Sequence, residues 1–218
     1  MPRPFQIVCL LISSSLLAYS QAEAPAAVTF TLDFPASQPE HYSIRVQSDG
    51  SARYQSSGRI SADSDDTDSF EFAFIATRET RQRIFELAAK AGYFQKDVDS
   101  HHKGVAFTGK KTLSYQDEHR SGESTYNYSS NPAVQDLTTL FQSLSATLEF
   151  GHRLQYDRQY QKLALDEELK RMEDMARSNS LVDVASIQPI LDQIIADPSV
   201  INVTRARAQR LLERAGAH

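Results

Sequence analysis

Tryptophan is absent from the 218 residues, and cysteine occurs once, at Cys9. Glycine and proline number eight each. So little of either excludes a collagen-like repeat and a Gly/Pro-rich disordered chain. A single cysteine excludes a disulfide scaffold. Long uncharged apolar runs of the kind a multi-span membrane protein repeats are also missing. Positive charge is in deficit: 23 Lys and Arg stand against 28 Asp and Glu, a formal net charge of −5. A mildly acidic chain gains no attraction from phosphate backbones or anionic lipids, so nucleic-acid binding is not expected. Neither Gly-x-Ser-x-Gly nor His-Glu-x-x-His occurs. What is present, 40% apolar and 23% charged residues, is an ordinary globular composition, with length enough for a sizeable core.

Residues 1–22 read as a secretory signal. Arg3 supplies the positive start, Phe5 to Ala18 an apolar stretch broken by Gln6 and three serines, and Ser20-Gln21-Ala22 the small residues before a cleavage point. The stretch is short and serine-rich for a membrane anchor. Cys9 follows Gln6-Ile7-Val8 rather than the small residues of a lipoprotein signal. The expectation is a secreted or periplasmic, cysteine-free mature chain with no stable membrane span once the signal is removed.

The region 27–150 reads as strands with one helix. Val28, Phe30, Leu32 and Phe34 alternate, as do Tyr42, Ile44 and Val46. Period two means a strand with one buried face. Ser48-Asp49-Gly50-Ser51 is turn chemistry, so 41–55 is predicted as a β-hairpin. Phe70, Phe72 and Phe74 would place three rings on one sheet face. Thr77 is a predicted N-cap for a helix carrying Ile84, Leu87, Ala88 and Ala91 on one side, ended by Gly92. Strands at 111–115 and 124–128 follow, around a polar stretch 117–122. Strands in hairpin order with one intervening helix imply an antiparallel sheet with a helix on one face. The order of a strand, the Asp49-Gly50 hairpin, a helix ending in Ala91-Gly92-Tyr93-Phe94 and further strands resembles small secreted bacterial α+β domains of unknown function.

From 151 to 218 the pattern is helical. Asn131-Pro132 predicts a helix start, and the stripe Leu137, Phe141, Leu144, Leu148 carries it onto the sheet. Three acid-base pairs at four-residue spacing, Asp166/Lys170, Glu167/Arg171 and Glu173/Arg177, support a helix to about 178. Leu154, Leu165, Leu169 and Met172 fall out of phase with the first stripe. The switch lies at Gly151, where the helix either breaks or changes packing partner. One glycine costs only ~1 kcal/mol against alanine, so continuation or a mild kink is predicted, with the second part projecting. Two helices at about 184–196 and 201–215 follow. Pro189, the Asp197-Pro198 turn and Val203, Arg205, Ala208, Leu211 resemble a single HEAT-type helical hairpin. One such repeat cannot bury both faces, so its partner is the helix before it or another molecule.

Four candidate sites emerge. Asp97, Asp99, His101 and His102 are zinc- or copper-type donors, or a solvated polar loop. Asp63, Asp65, Asp66 and Asp68 resemble a calcium loop without its glycine and distal glutamate, and read more simply as an acidic surface loop. Arg207, Arg210 and Arg214 share one helix face, for an acidic partner or for the helix dipole. Tyr156, Tyr160 and Leu163 suit a partner surface or packing on the last helices. The expected fold class is α+β: antiparallel sheet with a packed helix, then a long helix and a C-terminal helical hairpin. The expected function is a secreted, non-catalytic protein-interaction or scaffold protein, bound to an unknown protein or to itself, with no cofactor implied. The alternative is a secreted hydrolase or metal-dependent enzyme with a site near 97–102. A small-ligand carrier using Phe70, Phe72 and Phe74 ranks below both.

Overall fold

Alternation builds a six-stranded antiparallel sheet in the computed structural model, which describes residues 24–35, 37–59 and 66–216. The strands are β1 (Ala27–Asp33), β2 (His41–Gln47), β3 (Ser51–Arg59), β4 (Thr67–Ile75), β5 (Lys110–Gln116) and β6 (Ser121–Tyr126), in the spatial order β4-β3-β2-β1-β5-β6. The proposed signal segment and the acidic residues Asp63 and Asp65 lie outside the described residues.

The register explains the core. Phe72, Tyr54, Ile44, Phe30, Leu113 and Ser124 align as one rung across all six strands. Phe74, Ala52, Val46, Val28, Tyr115 and Gly122 form the next rung. Phe70, Ser56, Tyr42, Leu32, Lys111 and Tyr126 form a third. Period two puts all three rungs on one face. Helices α1 (Arg78–Lys90) and α2 (Pro132–Tyr160) cover that face, with Phe141 of α2 stacked on Phe30 at 5.3 Å. Thr77 caps α1 by accepting the N–H of Thr80, and Asn131 caps α2 by accepting that of Ala133, with Pro132 in the first turn.

The β6 edge of the sheet would otherwise stand open. After α1 the chain takes left-handed backbone at Gly92, Tyr93 and Phe94, with φ of 67°, 55° and 59°. This buries Phe94 and lays the chain against β6. The following residues hold on by hydrogen bonds: Val98 N–H to Ser124 Oγ, Asn127 N–H to Asp99 Oδ2 and Ser100 N–H to the Tyr128 carbonyl. The β5–β6 turn is shorter than the polar stretch suggested, because the Asp117 carboxylate accepts the N–H groups of His119 and Arg120 and closes a tight turn. β5 consequently ends later than expected, at 116, and β6 starts earlier, at 121.

The helical part departs from expectation in one place. Helix α2 runs unbroken through Gly151, which is a packing gap rather than a break: a Cβ there would lie 2.8 Å from Ile187 Cγ2 and 3.1 Å from Ile190 Cδ1. The chain turns instead at 161–163, and α3 (Ala164–Arg177) doubles back along α2. The out-of-phase stripe is the reason. A straight rod cannot press both stripes on one surface, whereas the reversal buries Leu165, Leu169 and Met172 completely. At roughly 2 kcal/mol each, that outweighs the lost helical turn. No second half projects.

Helices α4 (Gln188–Ala196) and α5 (Asn202–Ala215) complete the fold, and the face left open in a lone hairpin packs on α2 and α3. The buried residues form one cluster from Val28 to Leu211. Among the described residues, no helix is long and apolar enough to cross a membrane. The architecture is α+β, as the hydropathy pattern predicts.

Candidate functional site

The corner where α2 hands over to α3 collects exposed apolar side chains. Tyr156 and Tyr160 are one helical turn apart and therefore neighbours; their rings lie 5.0 Å apart and are 51% and 64% exposed. Leu163, in the turn, is 91% exposed. Lys162 Nζ donates to Asp197 Oδ2 at 3.2 Å and to Ser199, and Thr204 Oγ1 donates to Asp166 Oδ1 at 3.2 Å. These bonds clamp the α4–α5 connection to either side of Leu163. Ile201 and Val203, also exposed, thereby join the same corner. The two aliphatic residues give no sequence signal of this, because 40 residues separate them from Tyr160 and only the α3 reversal brings them near.

Arg207, Arg210 and Arg214 of α5 do not stand as a free basic face. Arg207 Nε donates to Asp166 Oδ1 at 2.9 Å and its Nη1 to Glu173 Oε2 at 2.7 Å. Arg210 Nε donates to Glu173 Oε1 at 2.9 Å. Asp166 and Glu173 thus serve α5 more than their own helix: Asp166 turns to Arg207, not Lys170, while Arg171 meets Glu168 rather than Glu167. Glu173 keeps its distant pair with Arg177 at 3.8 Å. The network pins α5 to α3. Arg207→Ala, which strips a buried carboxylate of its closest partner, is expected to cost about 2 kcal/mol in urea denaturation. Arg214→Ala, at an exposed position, should stay within about 0.5 kcal/mol. Equal effects would contradict the pinning role.

The loop 97–102 is built for its own shape. Asp97 accepts the N–H of Asp99 and lies 2.7 Å from His101 Nε2. Asp99 accepts the N–H groups of His101 and Asn127. Backbone hydrogen bonds, with His101 beside them, hold both carboxyls below their usual range, while Asp97 raises the His101 imidazole. Those bonds occupy the oxygens a metal would need, and His102 stands exposed alongside. Among the described residues, no group of three or more His, Cys, Asp or Glu is placed to hold a metal ion. The tetrad Ser100-x-x-Lys103 also has a nucleophile-lysine spacing, but on loop backbone that spacing lacks the helical turn that would join the two. Asp68, the described end of the acidic stretch, pairs with His152.

One polar constellation matches no sequence motif. Glu149, on the sheet-facing side of α2, accepts the Tyr54 hydroxyl at 2.6 Å and the Ser56 hydroxyl at 2.7 Å through Oε1. Its Oε2 lies 3.7 Å from His152 Nδ1. The His152 ring stacks on Phe70 at 4.2 Å, and its Nε2 is 3.4 Å from Asp68 Oδ2. Burial opposes ionisation of Glu149, but hydrogen bonds from His152, Tyr54 and Ser56 outweigh it and hold the carboxyl below its ordinary value. The Ser56 hydroxyl gives its hydrogen to a carboxylate rather than to an imidazole, so the set is not a nucleophile-base pair. Glu149 and His152 at i, i+3 are a usable hint in the sequence; their partners lie more than 80 residues away. No family model matches the chain, and no curated protein matches it.

Proposed function

We propose that the protein is a secreted, non-catalytic interaction protein that holds a partner protein at the α2–α3 corner. One observation carries the reading. The helical part buries its other large apolar side chains almost throughout, yet Tyr156, Tyr160, Leu163, Ile201 and Val203 remain exposed together. Exposed apolar side chains gathered at one corner, neighbouring tyrosines among them, are what interface centres are made of. The residues around it, Arg158, Lys162 and Asp197, are polar and already hydrogen-bonded within the chain, as in a rim. The N-terminal signal pattern supports an extracytoplasmic setting for this encounter.

The test uses a photo-crosslinking residue at position 160 in the full chain, expressed in its source cells. The captured protein is identified, purified and titrated. Tyr156, Tyr160 and Leu163 changed together to alanine should weaken its binding at least 10-fold with an unaltered melting temperature. An affinity unchanged in the triple variant, or equal crosslinking from position 86 on α1, would overturn the proposal.

A further inference from the structure

A cleft of about 350 Å³ opens between the β1–β2 connection, α2 and α3. Its mouth carries Arg153 of α2 and Arg171 of α3. One buried carboxylate, Glu168, serves both, taking Arg153 Nε at 2.5 Å and Arg171 Nη1 at 3.3 Å. Asp157 faces both guanidiniums as well, so charge at the mouth is near balance, and what the two arginines offer is N–H donors that neither carboxylate takes up. Arg153 also lies flat over the Phe150 ring at 4.6 Å, which fixes its plane. A guanidinium held in plane with spare N–H donors is suited to accept a carboxylate. At the inner end stands Glu149. Its Oε1 is engaged by Tyr54 and Ser56, while Oε2 has only the more distant His152, leaving acceptor capacity on an ionised group. Leu32, Tyr42 and Met175 give the cleft apolar wall, beside the polar Gln38, Gln142 and Ser145.

We infer that this cleft binds a small zwitterion whose carboxylate and ammonium groups are separated by a short apolar chain. The carboxylate sits on Arg153 and Arg171, the ammonium on Glu149, and the methylene chain against the apolar walls. The donors set the direction: the exposed guanidiniums take the carboxylate, and Glu149, the more buried acceptor, takes the ammonium. A dianion is disfavoured, because Glu168, Asp157 and Glu149 already outnumber the two arginines. This inference is independent of the corner and of the interaction reading.

The probe is 6-aminohexanoate, titrated into the full chain by calorimetry, with hexanoate and hexylamine as its two halves. Each half is expected to bind at least 10-fold more weakly than the whole. Arg171→Gln, which leaves the Arg153–Glu168 pair intact, should weaken 6-aminohexanoate about 5-fold. Ala146→Phe, placing a ring inside the cleft, should abolish binding. Glu149→Gln should erase the preference for 6-aminohexanoate over hexanoate. The triple alanine variant at Tyr156, Tyr160 and Leu163 should bind like the parent. No heat with 6-aminohexanoate, hexanoate binding as tightly, or full binding by a folded Ala146→Phe chain would each overturn the inference.

Discussion

Gly122→Ala is expected to lower the stability of the protein by about 3 kcal/mol, the cost of forcing an atom into a contact that cannot relax. A Cβ at this position would lie 2.2 Å from the carbonyl oxygen of Tyr93, 3.0 Å from the amide nitrogen of Gln95 and 3.0 Å from the carbonyl carbon of Phe94. All three are backbone atoms, so no side-chain rotation relieves the overlap. The segment 92–94 would have to lift from β6, taking the buried Phe94 with it. A fall of roughly 6–12 °C in melting temperature corresponds to that cost for a chain of this size. Gly92→Ala is the control. Unlike Gly122 it has a positive φ, 67°, but open space surrounds the position, so its cost is conformational and about 1 kcal/mol. If the two alanine variants melt together, the backbone of 92–94 does not lie on β6.

Glu149→Ala should be nearly as damaging, at about 3 kcal/mol near neutral pH. Tyr54 is fully buried and Ser56 nearly so. Both hydroxyls would lose their carboxylate acceptor, and a buried donor without a partner costs about 1–3 kcal/mol; Tyr54 retains Ser145 at 3.1 Å. The more telling variant is Glu149→Gln, which keeps the shape and removes the charge. In the folded chain the Glu149 carboxyl is held below its ordinary value of 4.5, so its contribution is fully present above that value. It is lost as pH falls through the lowered, folded-state value. The stability gap between the parent and Glu149→Gln should therefore be constant from neutral pH down to about 5 and narrow below 4.5. Urea midpoints at pH 7, 5 and 3.5 would show it. A gap that widens in acid would mean that the carboxyl is protonated in the folded chain.

Much of the fold is legible in the chain's local chemistry. The three aligned rungs are the alternating residues of each strand, and Thr77, Gly92 and Asn131-Pro132 mark helix ends through their own side chains or lack of one. The candidate site is legible only in part. Tyr156, Tyr160 and Leu163 stand out by composition, but Ile201 and Val203 do not. Arg207 and Arg210 look available in the sequence because their carboxylate partners sit on another helix. The phase change after Gly151 is visible, yet the bend it demands falls ten residues later, at 161–163.

Residue order alone determined which segments became strand or helix, since backbone preference, capping and hydropathy period act over a few neighbours. Tertiary packing alone decided where α3 turned, which cations were neutralised, and that Tyr54, Ser56 and Glu149 share a hydrogen-bonded network. Those outcomes depend on surfaces distant in the chain meeting at close range, and contact across 34 to 95 residues leaves no periodic trace in either segment.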